Sequence, residues 1–450
     1  VKETLQHQRD YFKGQSTKPY AFRRAMLLRL KRMITENESD IKAALKKDLN
    51  KSSFESYATE IGYTLHSITK TLKYLKKWMK VEKVKTPFYH FFTKSYIQRD
   101  PLGNVLIIGP YNYPFQLTIE PLIGAIAGGN TAIIKPSEFP THTEKLIETL
   151  INKTFESHYI HVFTGGKETT QTLLSLKFDL IFFTGSPRVG QIVYEAASKH
   201  LTPVVLELGG KSPAVVDRSA DLRVAARRIA WGKYLNAGQT CIAPDFVYID
   251  KRIKDEFLDM LTLTLDEFYG GEKDDFPVII NDDHYARITG LIDEDKVVYG
   301  NHRHKERRYL SPTVMDGVTF EDAIMKEEIF GPVLPVITFS DLDDVIYNLK
   351  KQPSPLAFYV FSNDTATRKR LFRCLSFGNG AINDTINQVA NFYLPFGGTG
   401  RSGFGKYHGR HSFETFTHAK SFMKKSTVFD KNPAYPPYGN KEKLIRKIFK

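Results

Sequence analysis

Cys241 stands in the stretch NAGQTCIAPDF (236–246) and is one of only two cysteines in 450 residues. A lone cysteine is ordinarily a small buried hydrophobe. This one follows a Gly-containing polar turn at the end of a helical pattern, where a side chain reaches a cleft as readily as a core. A free thiol is only about a few per cent thiolate near neutral pH, so a nucleophilic role requires donors or a base beside it. Glu207, in VVLELGGKSP, ends an apolar run just before a glycine pair. That places a carboxylate at the C-terminal edge of a strand, where α/β sheets bind ligands. Either the backbone N–H groups of the glycine turn satisfy it, or burial raises its pKa and makes it a general base. Asn112, in the Gly-Pro-bounded turn of NVLIIGPYNYPFQL, is either turn chemistry or an amide that donates to a developing oxyanion.

A second group of residues suits a phosphate-bearing ligand, although no GxGxxG follows any strand. FFTGSPRVG puts Gly185 and Ser186 at a strand-to-helix junction with Gly190 behind, a helix N-terminus able to receive phosphate. IIKPSE puts Lys135 and Glu138 just past another strand, suited to ribose hydroxyls. The other cysteine, Cys374 in LFRCLSFGNG, follows an amphipathic stretch and is read as core. Without CxxC or Cys/His spacing, neither a disulfide framework nor a metal site is expected, and a reducing, cytoplasmic setting fits best.

The elements that must position these residues fall into two textures. The first 80 or so residues read as helices: AFRRAMLLRLKRMITENESDIKAALKKDL and FESYATEIGYTLHSITKTLKYLKKWMK place apolar residues at three- and four-residue intervals between charges. From NVLIIGP onward, short β-branched runs bounded by Gly or Pro alternate with helical stretches: TAIIKP, IHVFTGG, LIFFTGS and TPVVLELGG. Such runs predict buried parallel strands. After residue 210 the alternation restarts with SPAVVD and FVYID, which predicts a second α/β unit. The charge run at 293–308 reads as a solvated loop or hairpin.

The composition is that of a soluble globular chain too long for one core. Its net charge of +14 invites a nucleic-acid reading. The charge is scattered over helices such as KYLKKWMKVEKVK and the tail, without aromatic interleaving or a recognition motif, so no nucleic-acid partner is expected. No stretch approaches the roughly 20 apolar residues of a membrane span, and VKETLQHQRDYFKG lacks a signal-peptide core, so export is not expected. The last twenty residues, KNPAYPPYGNKEKLIRKIFK, set Leu444, Ile445, Ile448 and Phe449 among Lys and Arg at helical spacing. Such a tail packs on its own protein or a partner subunit, or docks on an anionic membrane surface.

Taken together, PYNYPFQL, GGNTAIIKPSE, FTGSPRVG, LELGGKSP, NAGQTCIAPDF, EEIFGPVLPV and LPFGGTGRSGFGKYHGRHSFETFTH resemble the aldehyde dehydrogenase superfamily, in its order and over nearly the whole chain. The short N-terminus, Pro114, CIAPD and GKYHGRHSFETFTH resemble its class 3 branch, which includes fatty-aldehyde dehydrogenases. The resemblance implies an α/β fold with three parts: a modified Rossmann dinucleotide-binding domain (1–80 and 100–207), an α/β catalytic domain (208–389) and a small bridging β-arm (81–99 and 390–430). Residues 431–450 form the basic tail. It implies a homodimer.

Carried over residue by residue, the resemblance makes Cys241 the nucleophile, Glu207 the base that activates the hydrolytic water, and Asn112, with the Cys241 N–H, the oxyanion hole. Lys135 and Glu138 match adenosine-ribose ligands, Gly185 and Ser186 the pyrophosphate turn, and Glu328 with Phe330 the nicotinamide-ribose contact. The implied chemistry is NAD(P)-dependent oxidation of an aldehyde through a thiohemiacetal and a thioester, without metal. NAD is favoured because Glu138 would bond a 2′-hydroxyl and repel a 2′-phosphate; NADP is possible. A CoA-acylating relative would lack the glutamate at 207, so hydrolysis is expected. His408 and His411 are expected to shape the substrate funnel. The Phe- and Tyr-rich segments TPFYHFF and NQVANFYLPF, with the tail, suggest a medium- or long-chain aliphatic or terpenoid aldehyde delivered from a membrane surface.

Overall fold

The computed structural model describes residues 1–271, 275–428 and 435–449. Of the expected tail, residues 431–434 and 450 and the side chain of Leu444 lie outside the described residues.

The short apolar runs form two sheets. One lies in the spatial order Gly403–Phe404, Val204–Glu207, Leu180–Thr184, Asn104–Ile108, Thr131–Lys135 and Ile160–Val162. Its strands are parallel except Gly403–Phe404, which runs antiparallel to Val204–Glu207. NVLII, TAIIK and LIFFT are buried at every residue, as strands covered by helices on both faces must be. The chain walks from Asn104–Ile108 to Ile160–Val162 in one direction, then returns across the sheet to Leu180–Thr184 and Val204–Glu207. The order therefore reverses beside Asn104–Ile108, and ligands of open α/β sheets bind at the strand C-termini near such a reversal. The helix Gln116–Gly128 is buried along its whole length and apolar except for Gln116, Thr118 and Glu120, packed against Tyr20–Glu36 and Gly62–Trp78 on one side and sheet strands on the other.

The second sheet has the order Val297–Tyr299, Thr313–Met315, Val333–Phe339, Phe246–Asp250, Pro213–Val216, Ala357–Phe361 and Asn379–Ile382, antiparallel only at its first pair. A third, antiparallel sheet joins Glu82–Val84, Thr93–Pro101 and Thr417–Lys425, the last two pairing from Thr93↔Lys425 to Pro101↔Thr417.

Three local features depart from the sequence reading. The first amphipathic helix breaks at Asn37, whose Nδ2 donates to Met33 O at 2.7 Å; Tyr20–Glu36 and Glu38–Leu49 are separate helices. An Asn side chain that competes for helix carbonyls favours such a break. The second starts at Ser53–Glu55 and passes through a π-helical turn, Ser56–Ile61, before Gly62–Trp78. Among the described residues of the expected arm segment 390–430, only Thr417–Lys425 joins the arm sheet. Gly403–Phe404 pairs with the strand of Glu207, and Arg410–Thr415 packs on Gln116–Gly128. The charge run at 293–308 leads into a two-stranded hairpin, Arg303–His304 with Tyr309–Leu310.

Candidate active site

The loop that carries Cys241 is set by the helix before it. Leu222–Tyr234 begins at Asp221, whose carboxylate accepts the Val224 N–H at 3.0 Å, and ends in a turn through Asn236 (φ 54°), Ala237 (φ 53°) and Gly238 (φ 73°). Left-handed backbone at a non-glycine residue costs about 1–3 kcal/mol and persists only where the surroundings hold it. Here amides do so. Asn236 Nδ2 donates to Asn112 O at 2.8 Å and Gln239 O at 3.0 Å, and Gln239 Nε2 donates to Asn236 O at 3.1 Å and Val278 O at 3.0 Å. Gly238 has no alternative, since a Cβ there would lie 2.2 Å from Gly331 O. Beyond the turn, the Tyr113 and Thr240 hydroxyls meet at 2.6 Å, and Tyr359 Oη donates to Ile242 O at 2.6 Å.

Cys241, Asn112 and Glu207 converge on this loop. Asn112 is buried, and its Nδ2 donates to Gln239 O at 2.9 Å, two residues before the sulfur. An amide nitrogen carries two hydrogens, so the second is free for a ligand oxygen. Glu207 is 3 % exposed, and neither carboxylate oxygen has a hydrogen-bond partner. The glycine turn does not satisfy it, and burial pushes its pKa well above the ordinary range. The half-buried Cys241 thiol is also pushed up, by burial first and then by Glu328 and Glu207, while the N–H groups of Cys241 and Ile242 pull it back. The sulfur thus lies within electrostatic reach of two carboxyl groups.

Glu328 lies against the glycine pair after Glu207: a Cβ on Gly209 would sit 2.0 Å from Glu328 Oε2. Burial, then Asp245, pushes its pKa up to about 8. Its backbone is clamped. Asp245 accepts Lys211 Nζ at 2.5 Å and the Ile329 N–H at 3.0 Å, Lys211 also donates to Ile324 O and Glu327 O at 2.9 Å, and Arg287 donates to Ile329 O at 2.6 Å. Phe330 is held at φ 51° with its ring edge-on to Tyr111 at 5.7 Å.

The remaining expected cofactor residues lie at the C-terminal edge of the first sheet. Lys135 ends its strand nearly fully buried, and its Nζ donates to Pro136 O at 2.8 Å and Glu138 Oε2 at 2.9 Å. Ser186 follows Gly185 and caps Pro187–Ser198, accepting the Val189 N–H at 3.4 Å. A dinucleotide fits these residues. Lys135, Ser186 and Glu207 end three parallel strands or their turns on one edge, and the missing side chain of Gly209 leaves the space that brings Glu328 beside them.

His408 is buried, stacked on Phe396 with ring centroids 5.1 Å apart and 3.3 Å from Tyr63 Oη; burial lowers its pKa to about 3, so it is neutral. His411 is half-buried, 3.7 Å from Glu414. Cys374 packs half-buried against the core of the second sheet. Among the described residues no three His, Cys, Asp or Glu side chains gather as a metal-binding group.

Sequence reasoning missed several buried polar residues around the site. Lys51, Glu60, Asn236, Gln239 and Glu120 are all buried. Asn236 and Gln239 lie inside the quoted NAGQTC stretch, where their proximity to Cys241 was the available signal.

Residues 1–422 match the profile of the Aldehyde dehydrogenase family. The chain is 50% identical to the 4,4'-diaponeurosporen-aldehyde dehydrogenase of Staphylococcus aureus, over 100% of this chain and 99% of that one. It is 43% identical to the dimeric NADP-preferring aldehyde dehydrogenase of Rattus norvegicus, over 97% and 98% of the two chains. Among solved structures, a substrate-bound Staphylococcus aureus AldH superposes with a TM-score of 0.98 at 50% identity, covering 100% of this chain and 99% of that one.

Proposed function

Because the chain belongs to the aldehyde dehydrogenase family and so is an NAD(P)-dependent, aldehyde-oxidising enzyme, we propose that its substrate is an apolar aldehyde, oxidised to the carboxylic acid through Cys241. Medium- or long-chain aliphatic and terpenoid aldehydes are the class. The half-identical relative named for a diaponeurosporen aldehyde supports the terpenoid side.

In this reading the Cys241 thiol first loses its proton to solvent, the thiolate sulfur adds to the carbonyl carbon, and the free N–H of Asn112, with the Cys241 N–H, holds the oxyanion. Lys135 and Glu138 hold the adenosine ribose, Gly185 and Ser186 the pyrophosphate, and Glu328 with Phe330 the nicotinamide ribose. Bound NAD(P) supplies the two-electron acceptor for the hydride of the aldehyde carbon. The acyl group is left as a thioester on Cys241. Glu207 then takes a proton from water, whose oxygen attacks the acyl carbon and frees the acid.

The observation that carries the hydrolytic reading is Glu207 itself, buried, raised in pKa and unpartnered at both oxygens beside the thiol. A CoA-acylating enzyme has no use for such a base. The test is an aldehyde panel of rising chain length with NAD, using Cys241→Ser as the blank. Glu207→Gln is expected to keep a first-turnover burst of reduced nicotinamide while steady-state turnover falls about 10²–10⁴-fold. Unchanged steady-state turnover would remove the water-activating role.

The three sheets support the division into dinucleotide-binding, catalytic and arm parts, with 403–416 belonging to the first. The exposed edge strand Thr417–Lys425 supports a homodimer built through the arm. Two unpaired cysteines support a cytoplasmic setting. No described helix is long and apolar enough to cross a membrane. Peripheral contact is supported by another patch. Phe88, Phe91 and Phe92 project from the arm hairpin, the Tyr89 ring lies 5.7 Å from Phe449, and the helix Glu442–Ile448 presents Lys443, Arg446 and Lys447 beside them. Aromatic side chains amid cations suit an anionic lipid surface.

A further inference from the structure

Lys51 and Glu60 form an ion pair with both side chains at 0% exposure, one after the helix Glu38–Leu49 and the other in the π-helical turn Ser56–Ile61. Single π-turns recur at functional sites. A fully buried ion pair is weak evidence for stability, because desolvation offsets the attraction. The two charges must therefore be understood by what else they touch.

Glu55 also acts electrostatically on both charges, but among the described residues every further hydrogen bond of the two side chains goes to the segment that carries Asn112. Lys51 Nζ donates to Asn112 O at 3.0 Å and sits 4.0 Å above the Tyr113 ring. Glu60 Oε2 accepts the N–H groups of Phe115 at 2.9 Å and Gln116 at 3.1 Å, the entry to Gln116–Gly128, a helix with no side-chain cap of its own. A carboxylate at that position complements the positive helix end. The segment is thus pinned at both ends by one ion pair. Asn112 O has a second donor, Asn236 Nδ2, at 2.8 Å, and Asn236 belongs to the left-handed turn before Cys241.

We propose that Lys51 and Glu60 are positioning residues for the oxidation: the buried pair fixes the Asn112 peptide so that its side-chain amide stands at the oxyanion while the same carbonyl ties it to the cysteine loop. The inference rests on the reading of Asn112 as an oxyanion donor. Small displacements of such donors are costly, because the stabilisation depends on preorganised geometry.

The test measures the first-turnover burst of reduced nicotinamide, the rate of Cys241 alkylation by iodoacetamide, and thermal melting for Glu60→Gln, Lys51→Met, Asn112→Ala and Glu60→Gln/Asn112→Ala. Alkylation forms no oxyanion and so does not call on the amide. Expected for Glu60→Gln is a burst slowed about 10- to 100-fold, with alkylation within about twofold of wild type. The double variant is expected to be no slower than Asn112→Ala, because both act through one donor. If the two losses multiply, or alkylation slows as much as the burst, positioning through Asn112 is wrong while the oxyanion reading stands. If Asn112→Ala keeps the wild-type burst, the oxyanion reading falls and this inference with it. Should Lys51→Met not accumulate as folded protein, Glu60→Gln decides, since its amide oxygen still accepts one of the two helix N–H groups.

Discussion

Glu120 lies inside the buried helix Gln116–Gly128, with Oε1 accepting Ser67 Oγ at 2.6 Å and Oε2 unpartnered. Burial pushes its pKa from 4.5 up to about 7. Between those two values the unfolded chain releases this proton and the folded chain keeps it. Its contribution to stability is therefore fully present below pH 4.5 and is lost as pH rises towards 7, by about 3 kcal/mol at most. Glu120→Gln is expected to flatten that fall, so the melting temperature of the variant gains on the wild type between pH 5 and 7; parallel curves would contradict the argument. The same residue marks the boundary of what the sequence reveals. Cys241, Glu207 and Asn112 were legible as candidates, each at the end of an apolar run or in a bounded turn, and the family resemblance of their motifs supplied their expected roles. Lys51, Glu60 and Glu120 were not. Lys51 and Glu60 are ordinary charged residues in a charged helical region and Glu120 a single charge in an apolar helix, and each is satisfied by partners some fifty or sixty residues away: the Asn112 carbonyl for Lys51, the Phe115 N–H for Glu60 and the Ser67 hydroxyl for Glu120.

At the scale of elements, the site depends on how closely two turns approach. The turn after Val204–Glu207 and the Glu328 loop meet where Gly209 has no side chain, and Gly209→Ala would drive a methyl into Glu328 Oε2. Overpacking of about 1–3 kcal/mol is expected. Carried into binding, it weakens NAD(P) affinity about tenfold or more. Titration of nicotinamide fluorescence should show the loss while Cys241 alkylation stays near wild type; undiminished affinity would mean that Glu328 yields without consequence. The parallel strands of the first sheet, and Pro213–Val216 and Phe246–Asp250 of the second, were readable as short apolar runs, because strands covered on both faces must be apolar. The arm was harder. THAKSFMKK is polar and exposed, and its partner Thr93–Pro101 lies more than 300 residues earlier, so no local pattern fixes where the arm begins or that Gly403–Phe404 returns to the first sheet.

For the whole molecule, the aromatic hairpin and the basic helix that are proposed to face lipid belong to the same chain as the proposed chemistry. Wild-type protein is expected to co-float with phosphatidylglycerol vesicles and not with phosphatidylcholine vesicles. Removal of 431–450 should abolish flotation and slow oxidation of vesicle-embedded long aldehydes more than of short soluble ones. Equal losses for both would defeat the proposal. Sedimentation of Met423→Asp, a charge placed on the exposed arm strand, is expected to shift dimer towards monomer; an unchanged dimer would mean another face joins the subunits. The pairing of Gly403–Phe404 with Leu206 and Glu207 bears on synthesis as well. A nascent chain that has emerged only as far as Ile382 already contains thiol, carboxyl and amide, yet the strand ending in Glu207 still has a bare outer edge. That edge is closed only once Gly403–Phe404 has been made.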